Sequence, residues 1–100
     1  MNKYSVLISP KAYQDLDGIY KYITDSLEAP NTAEKLISQI EQRILSLELF
    51  PHRGTLRKTG IYSNGKYRQL FFKNYTIIYR INESNHQIII VTICYSHRLF

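Results

Sequence analysis

Residues 67–95 read YRQLFFKNYTIIYRINESNHQIIIVTICY, and this stretch decides the fold. β-Branched and aromatic residues fill three runs, 67–72, 75–81 and 87–95, as suits a pleated and partly covered surface. Lys73-Asn74 and residues 82–86 are tight connections between the runs. The spacing therefore predicts a three-stranded antiparallel meander. Ile88 to Ile93 is apolar at nearly every position, which is expected of a strand covered on both faces and interior to its sheet.

Upstream, Tyr4, Val6 and Ile8 alternate with Ser5 and Leu7, the pattern of a short strand. Ser9-Pro10 then offers an N-cap residue followed by proline at the first helical position. Ala12, Leu16, Ile19, Tyr20, Ile23 and Leu27 recur at spacings of three and four, predicting an amphipathic helix with Lys11, Asp15, Lys21 and Asp25 outside. Pro30 interrupts this period. Asn31 with Glu34 three residues on resembles a capping box that starts a second helix. Ala33, Leu36, Ile37, Ile40, Ile44 and Leu47 carry that helix until Pro51 forces Phe50 from helical geometry. So short a connection makes the two helices an antiparallel hairpin, and its apolar stripes need a sheet to cover them. Residues 52–66, with Gly54, Gly60 and Ser63-Asn64-Gly65, read as a loop. The expected fold is α+β: an N-terminal strand, an antiparallel helix hairpin and a three-stranded antiparallel meander, forming one sheet with the helices packed on one face. The 100 residues fit a single domain, 1–100.

Composition narrows the function classes. No run of about 18 apolar residues exists to span a bilayer, and the N-terminus lacks the apolar stretch of a secretory signal, so a cytoplasmic protein without membrane partners is expected. The single cysteine, Cys94, forms no internal disulfide and builds no zinc site alone. It reads as a small hydrophobe in the last strand, and neither metal nor cofactor is expected. Charge is unevenly spread. Residues 1–50 hold five Lys or Arg against seven Asp or Glu, whereas residues 51–100 hold eight against Glu83 alone. Such asymmetry marks a surface that meets phosphates or an acidic protein.

Enzyme signatures are few. The chain has no G-x-S-x-G elbow, no phosphate-binding Gly-rich loop, no H-E-x-x-H and no close carboxylate pair in its basic half. Arg68 and Arg80 stand on strands at the parity of Leu70, Phe72 and Ile78, each a guanidinium among apolar neighbours. Each either meets an acid from the helices or lines an anion pocket. For Arg68 the pocket reading is favoured, because Arg57, Lys58 and Lys66 are near in sequence. For Arg80, just before a turn, the structural reading is favoured, although it stays with Arg57, Lys58, Lys66 and Lys73 among the candidate phosphate ligands. At the end of the last strand Tyr95, Ser96, His97 and Arg98 supply a phenol, an imidazole and a guanidinium. His97 suits general acid or base work, and Arg98 suits a negatively charged transition state. His52 and His86 read as incidental loop residues, and Tyr75 and Tyr79 as core.

Asp15 to Ile23 (D-L-x-x-I-x-x-Y-I), Leu47-Glu48-Leu49-Phe50-Pro51 with Gly54 after it, Tyr67-Arg68, Asn74-Tyr75-x-I-x-Tyr79-Arg80-Ile81 and Tyr95-Ser96-His97-Arg98 together resemble the RelE/ParE superfamily of type II toxin-antitoxin toxins. The resemblance covers nearly the whole chain. It implies a microbial-RNase-like fold and a toxin neutralised by a cognate acidic antitoxin. The favoured implication is a ribosome-dependent mRNA endonuclease that works without metal. Arg68 then corresponds to the arginine on the scissile phosphate, His97 to the histidine of YoeB-like members, with Tyr95 and Arg98 beside it. Two positions depart from that pattern: an acidic general base has no counterpart, and Arg98 replaces an aromatic. The alternative is a ParE-like inhibitor of DNA gyrase that binds its target without catalysis. A further alternative is a non-toxic nucleic-acid-binding module.

Overall fold

The computed structural model describes residues 3–58, 62–63 and 65–96. Strand β1 (Ser5–Ile8) leads into helix α1 (Pro10–Lys21). Ser9 is the N-cap: its backbone is extended and its hydroxyl accepts from the Ala12 N–H at 3.1 Å. Pro10 occupies the first helical position, where a missing N–H costs nothing. Helix α1 runs on into a π-helical turn (Tyr22–Ser26), and α2 (Pro30–Leu45) ends in a 3-10 turn (Ser46–Glu48). Strands β2 (Thr55–Leu56), β3 (Arg68–Phe72), β4 (Tyr75–Asn82) and β5 (Gln87–Tyr95) follow. They form one sheet with β1 in the order β1-β5-β4-β3-β2. β1 is parallel to β5 and every other neighbour pair is antiparallel.

The meander, the interior place of β5 and the helix layer match the expectation from sequence. Strand β2 does not, since it lies within residues read as loop. Its two residues pair Thr55 with Gln69 and Leu56 with Arg68. So short a run leaves no periodicity in the sequence, and it is recruited by the unpaired edge of β3.

The helices cover one face of the sheet. Ala12, Leu16 and Ile23, with Ala33, Leu36, Ile40, Ile44 and Leu47, pack against Leu70, Ile77, Tyr79, Ile88, Ile90 and Ile93. Leu27, expected in the apolar stripe, is 56% exposed. Its N–H bonds back five residues to the Tyr22 carbonyl at 3.3 Å. A turn that wide holds one residue more than an α-turn and rotates Leu27 off the stripe. The capping box expected at Asn31 and Glu34 is absent: Ala29 is the N-cap, with no side-chain bond. Pro30 takes the first helical position, which puts Asn31 already inside the helix.

Asp15 also departs from its expected solvent-facing role. β1 makes its last pairing with β5 at Ile8 and Ile90, so the β5 edge beyond that point needs other partners. The Ser9 N–H donates to the Ile90 carbonyl at 3.0 Å, and the Ser9 hydroxyl donates to the Val91 carbonyl at 2.9 Å. Asp15 Oδ2 accepts from the Thr92 hydroxyl at 2.5 Å and from the Ile93 N–H at 3.0 Å. The carboxylate thereby docks α1 onto β5. Asp15→Ala should lower the unfolding free energy by about 1–3 kcal/mol, against less than about 0.5 kcal/mol for Asp17→Ala at an exposed position, as measured by urea denaturation. Equal losses in the two variants would contradict this account of the docking.

Candidate functional site

Tyr79 is 0% exposed, so its hydroxyl must find partners inside the protein. It finds them in the turn that follows the helices. The hydroxyl donates to the Pro51 carbonyl at 2.8 Å and accepts from the Gly54 N–H at 3.0 Å. Approach this close requires glycine, because a Cβ at position 54 would lie 2.6 Å from both the Gln69 carbonyl oxygen and the Tyr79 hydroxyl. The Gly54 carbonyl in turn accepts from Arg68 Nη1 at 2.5 Å. One glycine thus holds the buried tyrosine through its N–H and the arginine through its carbonyl. Burial pushes the Tyr79 hydroxyl above its ordinary pKa, with the Gly54 bond and the positive charges of Arg68 and Arg53 pulling the other way.

Arg68 opens β3 and lies opposite Tyr79, so β4 runs past the end of β3 and Arg80 and Ile81 have no partner there. Beside this overhang is a cavity of about 310 Å³ whose lining includes Lys66, Arg68, Arg80, Leu56 and Ile81. His52 and Glu83 also line it, with His52 Nε2 3.2 Å from Glu83 Oε1. The Tyr4 hydroxyl donates to Glu83 Oε2 at 3.3 Å. Arg68 shares the helix-side face with Leu70 and Phe72, whereas Arg80 projects from the opposite face with Ile78. The strand end lets both reach one cavity. The acidic partner favoured for Arg80 is not found: this exposed guanidinium makes no hydrogen bond or ion pair with any described residue.

The remaining candidates scatter. Arg57 is buried and donates to Gln69 Oε1 at 2.8 Å. Lys58 is exposed. Lys73 lies in the β3–β4 turn at the far end of the sheet, with Nζ 3.3 Å from Gln39 Oε1 and 5.5 Å from the Phe72 ring centre. Tyr95 is at that far end too, paired with Tyr75, which pairs with Phe72. Four residues along the strands and two strands across separate it from Arg68, about 13 Å one way and about 10 Å the other. The register thus places Tyr95 apart from Arg68. Around Tyr95 the neighbours include Asn74, Tyr75 and Thr76, with Thr76 Oγ1 2.8 Å from Ser96 Oγ. His97 and Arg98 lie outside the described residues. His52 and Glu83, read as incidental and solitary, are the pair that sequence reasoning missed. Their signal was that Glu83 is the only acid of the basic half.

A larger open cleft, about 610 Å³, is lined by Leu49, Phe50, Pro51, His52 and Arg53. Its one arginine, Arg53, donates to Ser46 Oγ at 2.7 Å. It lacks the convergent charge of the smaller cavity.

The family model described as the ParE toxin of the type II toxin-antitoxin system parDE matches residues 6–100. No curated protein sequence matches the chain significantly. Among solved structures, the chain is similar to one from the chromosomal ParDE toxin-antitoxin system of P. aeruginosa. That likeness has a TM-score of 0.77 at 23% identity, over 95% of this chain and 98% of that one. It is also similar to a chain of the toxin-antitoxin complex RelBE2 from Mycobacterium tuberculosis, with a TM-score of 0.71 at 14% identity over 95% and 93%.

Tyr79→Phe should cost about 1–3 kcal/mol in chemical denaturation, because it leaves the Gly54 N–H and the Pro51 carbonyl without their partner. A raised tyrosine pKa means that folding favours the neutral phenol. Its contribution is intact below the unfolded value near 10 and is lost as pH climbs through the folded value. Stability of the unmodified chain should therefore fall more steeply above pH 10 than that of Tyr79→Phe. Parallel pH profiles would contradict the buried, bonded hydroxyl.

Proposed function

The chain belongs to the ParE toxin family of type II toxin-antitoxin systems, and from that premise we propose that it arrests growth by binding DNA gyrase without catalysing a reaction. The observation that carries this reading is the separation of Arg68 from Tyr95. An endonuclease needs its phosphate-holding cation and its proton-transfer groups within hydrogen-bond reach of one scissile bond. Here Arg68 and Tyr95 lie at opposite ends of the sheet. The ranking of targets is thus the reverse of the one favoured from sequence. The family match and the likeness to a ParDE chain support the same order.

In this reading a cognate acidic antitoxin neutralises the toxin by covering its basic half, to which single-sign charge steers an oppositely charged partner. Among the described residues no helix is long and apolar enough to cross a membrane. The site of action is proposed to be cytoplasmic.

Purified toxin should inhibit supercoiling by gyrase, and addition of the antitoxin should relieve the inhibition. Mapping of mRNA ends after induction in a bacterium should show no new cleavage. Tyr95→Phe should keep its inhibitory strength within about threefold, whereas loss of a catalytic acid or base would cost roughly 10²–10⁴-fold. New mRNA ends with gyrase unaffected would overturn the proposal in favour of the endonuclease.

A further inference from the structure

We propose that the cavity beside the start of β3 is a nucleotide site, in which Arg80 takes a terminal phosphate and Leu56 and Ile81 face the attached sugar or base. The inference goes beyond gyrase binding, which requires no small-ligand site. It begins from Arg80. An exposed guanidinium with no partner among the described residues lines a concave surface beside two further cations, Arg68 and Lys66. Its planar fork matches two phosphate oxygens at once.

Arg68 adds a second guanidinium. Its bond to Gly54 uses Nη1, which leaves other donors of the fork available while the bond fixes the side chain in place. Fixing it in advance lowers the entropy lost when a ligand arrives. The local charge is three cations against Glu83, and Glu83 already faces His52 at 3.2 Å and accepts from Tyr4. Two guanidinia and an ammonium suit the double charge of a terminal phosphate better than the single charge of a carboxylate or a bridging phosphate. Size points the same way. A cavity of about 310 Å³ is at the small end of ligand pockets and holds one nucleotide unit, not a long segment.

The phosphate can come from a free nucleotide or from the end of a nucleic acid strand. NMR titration of the isotopically labelled full chain separates these sources. The probes are inorganic phosphate, a nucleoside monophosphate, one oligonucleotide with and without a 5′-phosphate, and succinate as a dicarboxylate control. Saturable shifts centred on residues 65–68 and 80–83 are expected with phosphate and more strongly with the monophosphate. A strand source adds a preference for the phosphorylated oligonucleotide over the free monophosphate, and a free-nucleotide source gives the reverse. Arg80→Gln should weaken monophosphate binding by roughly tenfold or more. Glu83→Gln should strengthen it, and Lys35→Gln on the distant α2 surface should leave it unchanged. No saturable binding, equal weakening by Arg80→Gln and Lys35→Gln, or succinate binding as tightly as the monophosphate would each overturn the site. Gyrase is absent from this assay, so its failure and that of the supercoiling test are read separately.

Discussion

A buried phenol that must be satisfied is the constraint on which the rest of this structure depends. Tyr79 fills the centre of the helix-side core, and its hydroxyl is out of reach of solvent. Leaving it unpaired would cost on the order of a whole hydrogen bond's desolvation, a large part of the stability of so small a protein. The turn after α2 meets the demand with the Pro51 carbonyl and the Gly54 N–H. Several features then follow together. Position 54 has no room for a side chain, the chain is brought down to pair as β2, and the Gly54 carbonyl is presented to Arg68. A core requirement thereby fixes the geometry of a surface pocket.

The two ends of the sheet carry different chemistry. At the end near Gly54, Lys66, Arg68 and Arg80 converge with His52 and Glu83 at one cavity. At the other, Tyr95 pairs with Tyr75 and the Ser96 N–H donates to the Asn74 carbonyl at 2.7 Å, with Lys73 in the adjoining turn. Positive charge gathered at one cavity suits recognition, whether of a protein target or of a phosphate.

Much of the architecture was legible in the residues because local and global preferences agree. Ser9-Pro10 announces α1, and the isoleucine-rich runs announce β4 and β5. The readings that failed depend on distant partners. Asp15 reads as a solvent-facing helix residue until the end of β1 leaves the β5 backbone in need of an acceptor. Leu27 reads as core until one wide turn rotates it away. Thr55 and Leu56 form a strand only because β3 offers an edge. His52 and Glu83 stand 31 positions apart, and only the meeting of the post-helix turn with the β4–β5 turn makes them neighbours. The turn signal Pro51-x-x-Gly54 was visible, but that its glycine serves a tyrosine 25 residues later was not.

The central claim is that core and pocket are coupled through Gly54. A double-mutant cycle on Tyr79→Phe and Arg68→Gln, read by chemical denaturation, tests it most directly. The account predicts a coupling energy of about 0.5–3 kcal/mol, because both side chains bond the same residue. A cycle pairing Tyr79→Phe with Tyr95→Phe, at the other end of the sheet, should be additive. Additivity in the Arg68 cycle would contradict the claim.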